Sequence, residues 1–150
     1  MTSPLPQILV IDTNIVLDAF VFSDTMALPV REGLDSGALR WVATQPMRDE
    51  LQRVLGYPQI VPRLVFYGLG AADVLAQFDR HARLVDVAPK ADVTCKDPDD
   101  QKFIDLAVAQ RAILLSKDKA VLCMHKRLLS LDVQAVAALV FEESVVACSA

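Results

Sequence analysis

Ile8-Leu9-Val10-Ile11-Asp12-Thr13-Asn14 is an apolar run that ends abruptly at a carboxylate. Four successive apolar residues, rich in β-branching, read as a short strand buried on both faces, as parallel sheets require. Ile15, Val16, Ala19 and Phe20 then recur at helical spacing, with Thr13 and Asn14 available as caps. A carboxylate at the carboxyl end of a buried strand sits where open α/β sheets bind their ligands. Taken alone, Asp12 is equally well read as a cap for the next helix. Three further acids, placed where they can meet it, tilt the balance.

The second informative stretch is Asp97-Pro98-Asp99-Asp100-Gln101-Lys102-Phe103-Ile104-Asp105-Leu106-Ala107. Asp97 followed by Pro98 is a strong helix start, which accounts for Asp97 as a cap. Asp99 and Asp100 fall in the first turn, where the helix dipole favours negative charge. At helical spacing Phe103, Ile104, Ala107 and Val108 form one apolar face, with Asp100 in its middle and Lys102 and Asp105 opposite. A carboxylate on a buried face is costly unless something pairs it. Asp100 is therefore the acid expected to do chemistry, with Asp99 flanking it.

Between these stretches, Leu39–Ala43 reads as a second strand and Gln45–Leu55 as a helix begun at Thr44 and ended by Gly56-Tyr57-Pro58. Met47, Leu51, Val54 and Leu55 share its apolar face. Asp49 points away, whereas Glu50 lies on the flank and can reach an interior cleft. An earlier helix is expected from about Val30, stopped by Gly37. A short helix near Ile60–Phe66, a longer one over Ala71–Arg83 and a strand at Leu84–Val87 follow, then a loop from Ala88 to Lys96. Ala112–Leu115 repeats the opening pattern, a brief apolar strand with Ser116, Lys117 and Asp118 just beyond it. A helical turn and a strand at Asp132–Val136 come next; the pattern assigns residues 142–150 to neither helix nor strand. Strands alternating with helices predict a mostly parallel five-stranded sheet with helices on both faces, in one domain spanning residues 1–150.

Bulk properties exclude several classes. With 150 residues and 53% hydrophobic content the chain supports a full core. No apolar run reaches the length of a membrane span, and the first residues carry no signal-peptide pattern, so a cytoplasmic protein without a membrane partner is expected. Cys95, Cys123 and Cys148 lack ligand spacing and read as free thiols. His81 and His125 likewise read as structural or surface groups. The net charge of −4 argues against nucleic acid, unless the acids converge on cations that invert the local field. Lys96, Lys102, Arg111, Lys117, Lys119, Lys126 and Arg127 gather in the C-terminal half, an arrangement ordinary for a solvated surface.

If Asp12, Glu50, Asp100 and Asp118 converge, each pair ~4 Å apart repels by ~4 kcal/mol at an effective dielectric of about 20. Protons or hard cations must then enter, and an all-oxygen site favours Mg²⁺ or Mn²⁺. Such a site suits phosphodiester hydrolysis. No P-loop, dinucleotide fingerprint or Ser-His-Asp constellation competes with it.

The VIDTNI at 10–15, Glu50, the DPDDQKFIDLA at 97–107 and the LLSKD at 114–118 together resemble the PIN-domain family, in particular toxin components of toxin–antitoxin systems. The resemblance spans about residues 7–137. It implies a three-layer α/β/α sandwich with a five-stranded parallel sheet. It also implies that Asp12, Glu50, Asp100 and Asp118 are the metal-binding catalytic acids, with Asn14, Ser116 and Asp99 supporting them. Mg²⁺- or Mn²⁺-dependent cleavage of single-stranded RNA, a homodimer and a cognate antitoxin protein are further implications. The chain departs from the family where T-G-D-x-D is common: Ala120 replaces the second acid, and Lys117 replaces a small residue. Lys117 is expected either to touch substrate phosphate or to neutralise part of the pocket. Two other readings stand beside the nuclease. One is a catalytically silent PIN-like module that binds RNA or protein. The other is a phosphotransferase with Asp12 as nucleophile, disfavoured because a second Asp is needed where Asn14 stands.

Overall fold

Five parallel strands form one sheet in the order β3-β2-β1-β4-β5: β1 Gln7–Ile11, β2 Leu39–Ala43, β3 Ala82–Leu84, β4 Ile113–Leu115 and β5 Gln134–Val136. The computed structural model describes residues 6–139. The expected but unassigned tail, with Cys148, lies outside the described residues. Helices α1 Thr13–Phe20 and α2 Leu28–Ser36 connect β1 to β2, and α3 Gln45–Leu55, α4 Val61–Phe66 and α5 Ala71–His81 connect β2 to β3. The chain then crosses back through α6 Gln101–Gln110 to β4, and α7 Lys119–Leu122 and α8 His125–Leu129 lead to β5. Crossovers in opposite directions from a central β1 place helices on both faces, giving the expected α/β/α sandwich.

Burial explains why the central strands are brief and wholly apolar. Leu9, Val10, Leu114 and Leu115 have no exposed surface, and α1 buries seven of its eight residues between β1 and the outer helices. Trp41 on β2 stacks on Phe20 at 6.0 Å and meets the edge of Phe78 at 4.9 Å, tying β2 to α1 and α5. Gly33 lets α2 lie directly on β2, since a Cβ there would sit 2.2 Å from Leu39 Cδ1.

Several boundaries differ from expectation, each for a local reason; α5 ends at His81 rather than Arg83 because residues 82–84 pair with β2. β3 is Ala82–Leu84 rather than Leu84–Val87, because its register with β2 pairs Trp41 with Ala82 and Ala43 with Leu84. It is an edge strand, so Leu84 and Val87 remain exposed despite their hydrophobicity. Arg111 adopts φ +51°, and Ala112 N–H bonds back to the Ala107 carbonyl, which ends α6 with a Schellman-type turn and delays β4 to Ile113. Asp132 has φ +64°, so β5 cannot begin there and starts at Gln134. Pro29 occupies the first turn of α2, where no amide donor is needed, and Gly37 at φ +82° stops that helix as expected.

Candidate metal centre

The strand order reverses between the parallel neighbours β1 and β4, and a crevice at the carboxyl ends of such a pair is where doubly wound folds bind ligands. Asp12 ends β1, and Ser116 and Asp118 follow β4, so both strands deliver polar side chains to this point. Asp12 occupies the cap position of α1, yet its side chain makes no cap hydrogen bond. Instead, Oδ2 accepts a 2.7 Å hydrogen bond from the fully buried Ser116 hydroxyl. Asp12 therefore does more than occupy the cap of α1. Burial pushes the Asp12 pKa up; the Ser116 hydroxyl and the Asn14 amide hold it down, while the charges of Glu50 and Asp118 push it up again. Asn14 itself is exposed in the first turn of α1.

A 3₁₀ turn, Pro98–Asp100, precedes α6. Asp97 caps it as expected, Oδ1 accepting from Asp99 N–H at 3.0 Å. Asp97 also does something the capping argument obscures. Ligand oxygens of Asp97, Asp100 and Asp118 all lie within 4.8 Å of one another, the one such trio among the described residues. The loop that carries Asp97 is held in place: Gln101 Oε1 accepts from Cys95 N–H at 2.7 Å, and Asp105 Oδ1 accepts from Ala91 N–H at 2.9 Å. Lys90 crosses the same loop, donating to the Ala91 and Val93 carbonyls.

Asp100 is 7% exposed, and its Oδ2 has no hydrogen-bond partner. Burial, first, then the proton it shares with Asp118 and the charges of Asp12, Asp118 and Asp97 push its pKa up to about 8. A buried carboxyl oxygen with no donor, facing two other carboxylates, is satisfied by a proton or by a cation. Three carboxylates without imidazole or thiolate suit a hard divalent ion. Asp118 contributes Oδ1 to the cap of α7, accepting from Ala120 N–H at 2.9 Å, and its own N–H donates to Ser116 Oγ at 3.1 Å. Asp12 and Asp118 are thus joined through one hydroxyl.

Glu50 lies outside this trio. The Thr13 hydroxyl donates to Oε2, and the Lys102 ammonium donates to Oε1 at 2.7 Å. Glu50 is near enough to Asp12 to raise its pKa, so the four expected acids do share one neighbourhood. Asp99 is exposed and supports the site through its backbone: its carbonyl accepts from Lys102 at 2.6 Å. Lys102 corrects the reading that placed it away from the buried side of α6, since its long side chain curls back across the turn. Lys117 is held by the buried Asp18 of α1 at 2.5 Å, on the side lined by Ile15, Val30 and Leu115.

Asp97, Thr13 and Lys102 are the residues that motif reading did not place here. Asp97 and Asp100 are three apart, the spacing that puts side chains on one side of a helical turn, and that signal was available. Thr13 and Lys102 meet Glu50 across 37 and 52 residues, and local pattern carries no trace of either contact. His81 packs on Phe20 at 5.6 Å and burial lowers its pKa, while His125 is exposed beside the Leu122 carbonyl. Cys95 and Cys123 are free thiols. Among the described residues no helix is long and apolar enough to cross a membrane.

The family model described as "PIN domain" matches residues 8–120. That span runs from β1 through Asp118 and includes every carboxylate of the crevice; β5 completes the sheet beyond it. No curated protein matches the chain.

Proposed function

The chain belongs to the PIN-domain family, a family of nuclease fold, and from that premise we propose that it is a Mg²⁺- or Mn²⁺-dependent endoribonuclease that cleaves single-stranded RNA. One observation carries the reading: the buried, unpartnered Oδ2 of Asp100 beside Asp97 and Asp118. Asp97, Asp100 and Asp118 would hold the ion, with Asp12 adjacent and braced by Ser116. A divalent ion bound there lowers the pKa of water and offsets charge developing on phosphate.

The residues of the chain divide the remaining work. Asp12, oriented by the Ser116 hydroxyl, is the acceptor placed to orient a water. Glu50, held by Thr13 and Lys102, ties α3 to the turn that carries Asp100. Lys96 and Lys119 are exposed and each adjoins an acid of the trio, which places them to meet RNA phosphates. Lys117 is engaged by Asp18 and serves more readily as a brace for β4 than as a phosphate contact.

The toxin role, a cognate antitoxin, a homodimer and a cytoplasmic location belong to the same proposal. Val65, Phe66 and Tyr67 on and after α4 support a protein partner, since Phe66 is 82% exposed. The test is a thermal melt with and without Mn²⁺, followed by cleavage of a single-stranded RNA oligonucleotide. A Mn²⁺-dependent rise in Tm that Asp100→Asn lacks, together with cleavage, upholds the reading. RNA binding with neither effect favours the silent module, a reading to which the Lys102–Glu50 pair gives some support by neutralising one acid.

A further inference from the structure

Five carboxylates meet at the crevice, but they are not equally available. Asp97, Asp100 and Asp118 face one another, whereas each oxygen of Glu50 already accepts a hydrogen bond. Its Oε2 takes the Thr13 hydroxyl and its Oε1 takes the Lys102 ammonium at 2.7 Å. The pair is not an ordinary surface contact, which would contribute little. The two side chains are only 27% and 18% exposed, and the ammonium is fixed from a second direction by the Asp99 carbonyl at 2.6 Å. Lys102 therefore joins α3 to the 3₁₀ turn that carries Asp100.

We propose that the centre takes a single divalent cation, and that Lys102 sets this number by standing where a second cation would need Glu50. The inference rests on the metal-dependent reading above and concerns how many ions that site admits. An ammonium and a divalent ion compete for the same carboxylate oxygen. A second ion at Glu50 would have to displace a short, doubly anchored ammonium and leave it beside like charge. The tethered Lys102 costs no encounter entropy, so it holds the position against free cations. Because Lys102 lies two residues beyond Asp100, one short turn carries both an acid of the primary site and the charge that closes the second. Lys102 acts through Glu50 and is a positioning residue.

The experiment is a Mn²⁺ titration of the full chain, read by isothermal calorimetry and by the loss of the free-Mn²⁺ electron paramagnetic resonance signal. Wild type is expected to bind one ion per chain. Lys102→Met should bind two, Lys102→Arg one, and Lys102→Met combined with Glu50→Gln one again. Circular dichroism confirms that each variant is folded, and Glu50→Gln alone should keep the first ion with less than a threefold change in Kd. Two ions in wild type, or one in Lys102→Met, overturns the proposal while leaving metal dependence intact. A tenfold or larger loss of the first ion in Glu50→Gln overturns it as well. No ion in wild type overturns the metal-dependent reading itself, and this inference with it.

Discussion

Ser116 donates its hydroxyl proton to Asp12 across 104 residues of sequence, and the same oxygen accepts the amide of Asp118. One buried hydroxyl therefore fixes the acid of β1 relative to the acid that follows β4. Ser116→Ala leaves a buried carboxylate short of a donor and an amide short of an acceptor. Chemical denaturation should show a loss of about 1–3 kcal/mol. The Asp12 pKa should rise further, and the Mn²⁺-dependent gain in Tm should shrink. A neutral substitution would mean that the bond contributes nothing to the site.

The displaced pKa of Asp100 makes a pH prediction with a definite sign. In the fold Asp100 keeps its proton to about pH 8, whereas its ordinary value is 3.8. Between those limits the native state binds more protons than the unfolded chain, so metal-free stability falls as pH rises and levels off above about 8. Urea denaturation from pH 5 to 9 measures it. Asp100→Asn should flatten the curve and be the more stable of the two proteins at pH 9. Mn²⁺ should bind more tightly as pH rises through the same window, with release of a proton.

Asp97 both caps a turn and faces Asp100, and two substitutions separate these roles. Asparagine caps a helix as well as aspartate does, so Asp97→Asn should leave metal-free stability within ~0.5 kcal/mol of wild type, whereas Asp97→Ala should cost about 1 kcal/mol. Both variants should lose Mn²⁺ affinity, by tenfold or more. If Asp97→Asn binds Mn²⁺ like wild type, Asp97 is a cap alone.

Gly33→Ala tests the close seat of α2 on β2. The added Cβ meets the Leu39 side chain at 2.2 Å, and Leu39 is itself buried. Overpacking of this kind costs ~1–3 kcal/mol, more than helix propensity returns. Mn²⁺ stoichiometry should not change, because the contact is remote from the carboxylates.

The central strands were legible because burial on both faces leaves an uninterrupted apolar signature, as at Leu9–Ile11 and Leu114–Leu115. The edge strand was not, since Leu84 and Val87 are apolar yet exposed, and hydrogen bonding to β2 rather than hydrophobicity sets where β3 begins. Arg111 and Asp132 take positive φ without being glycine, so nothing in their identity announces a strand boundary. At the centre, Asp12, Asp100 and Asp118 were recoverable from position alone: the ends of two buried strands and the wrong face of an amphipathic helix. Lys102 was misplaced because helical spacing locates a Cβ, and a four-carbon side chain reaches well beyond it.

The strand order has a consequence for synthesis. β1 emerges from the ribosome first and pairs with β2 soon afterwards, but its other neighbour is β4, about a hundred residues later. Asp12 waits through that interval with half of its strand unpaired and none of the acids of the trio beside it. The acidic crevice therefore depends on one long-range pairing, that of Leu9–Ile11 with Ile113–Leu115.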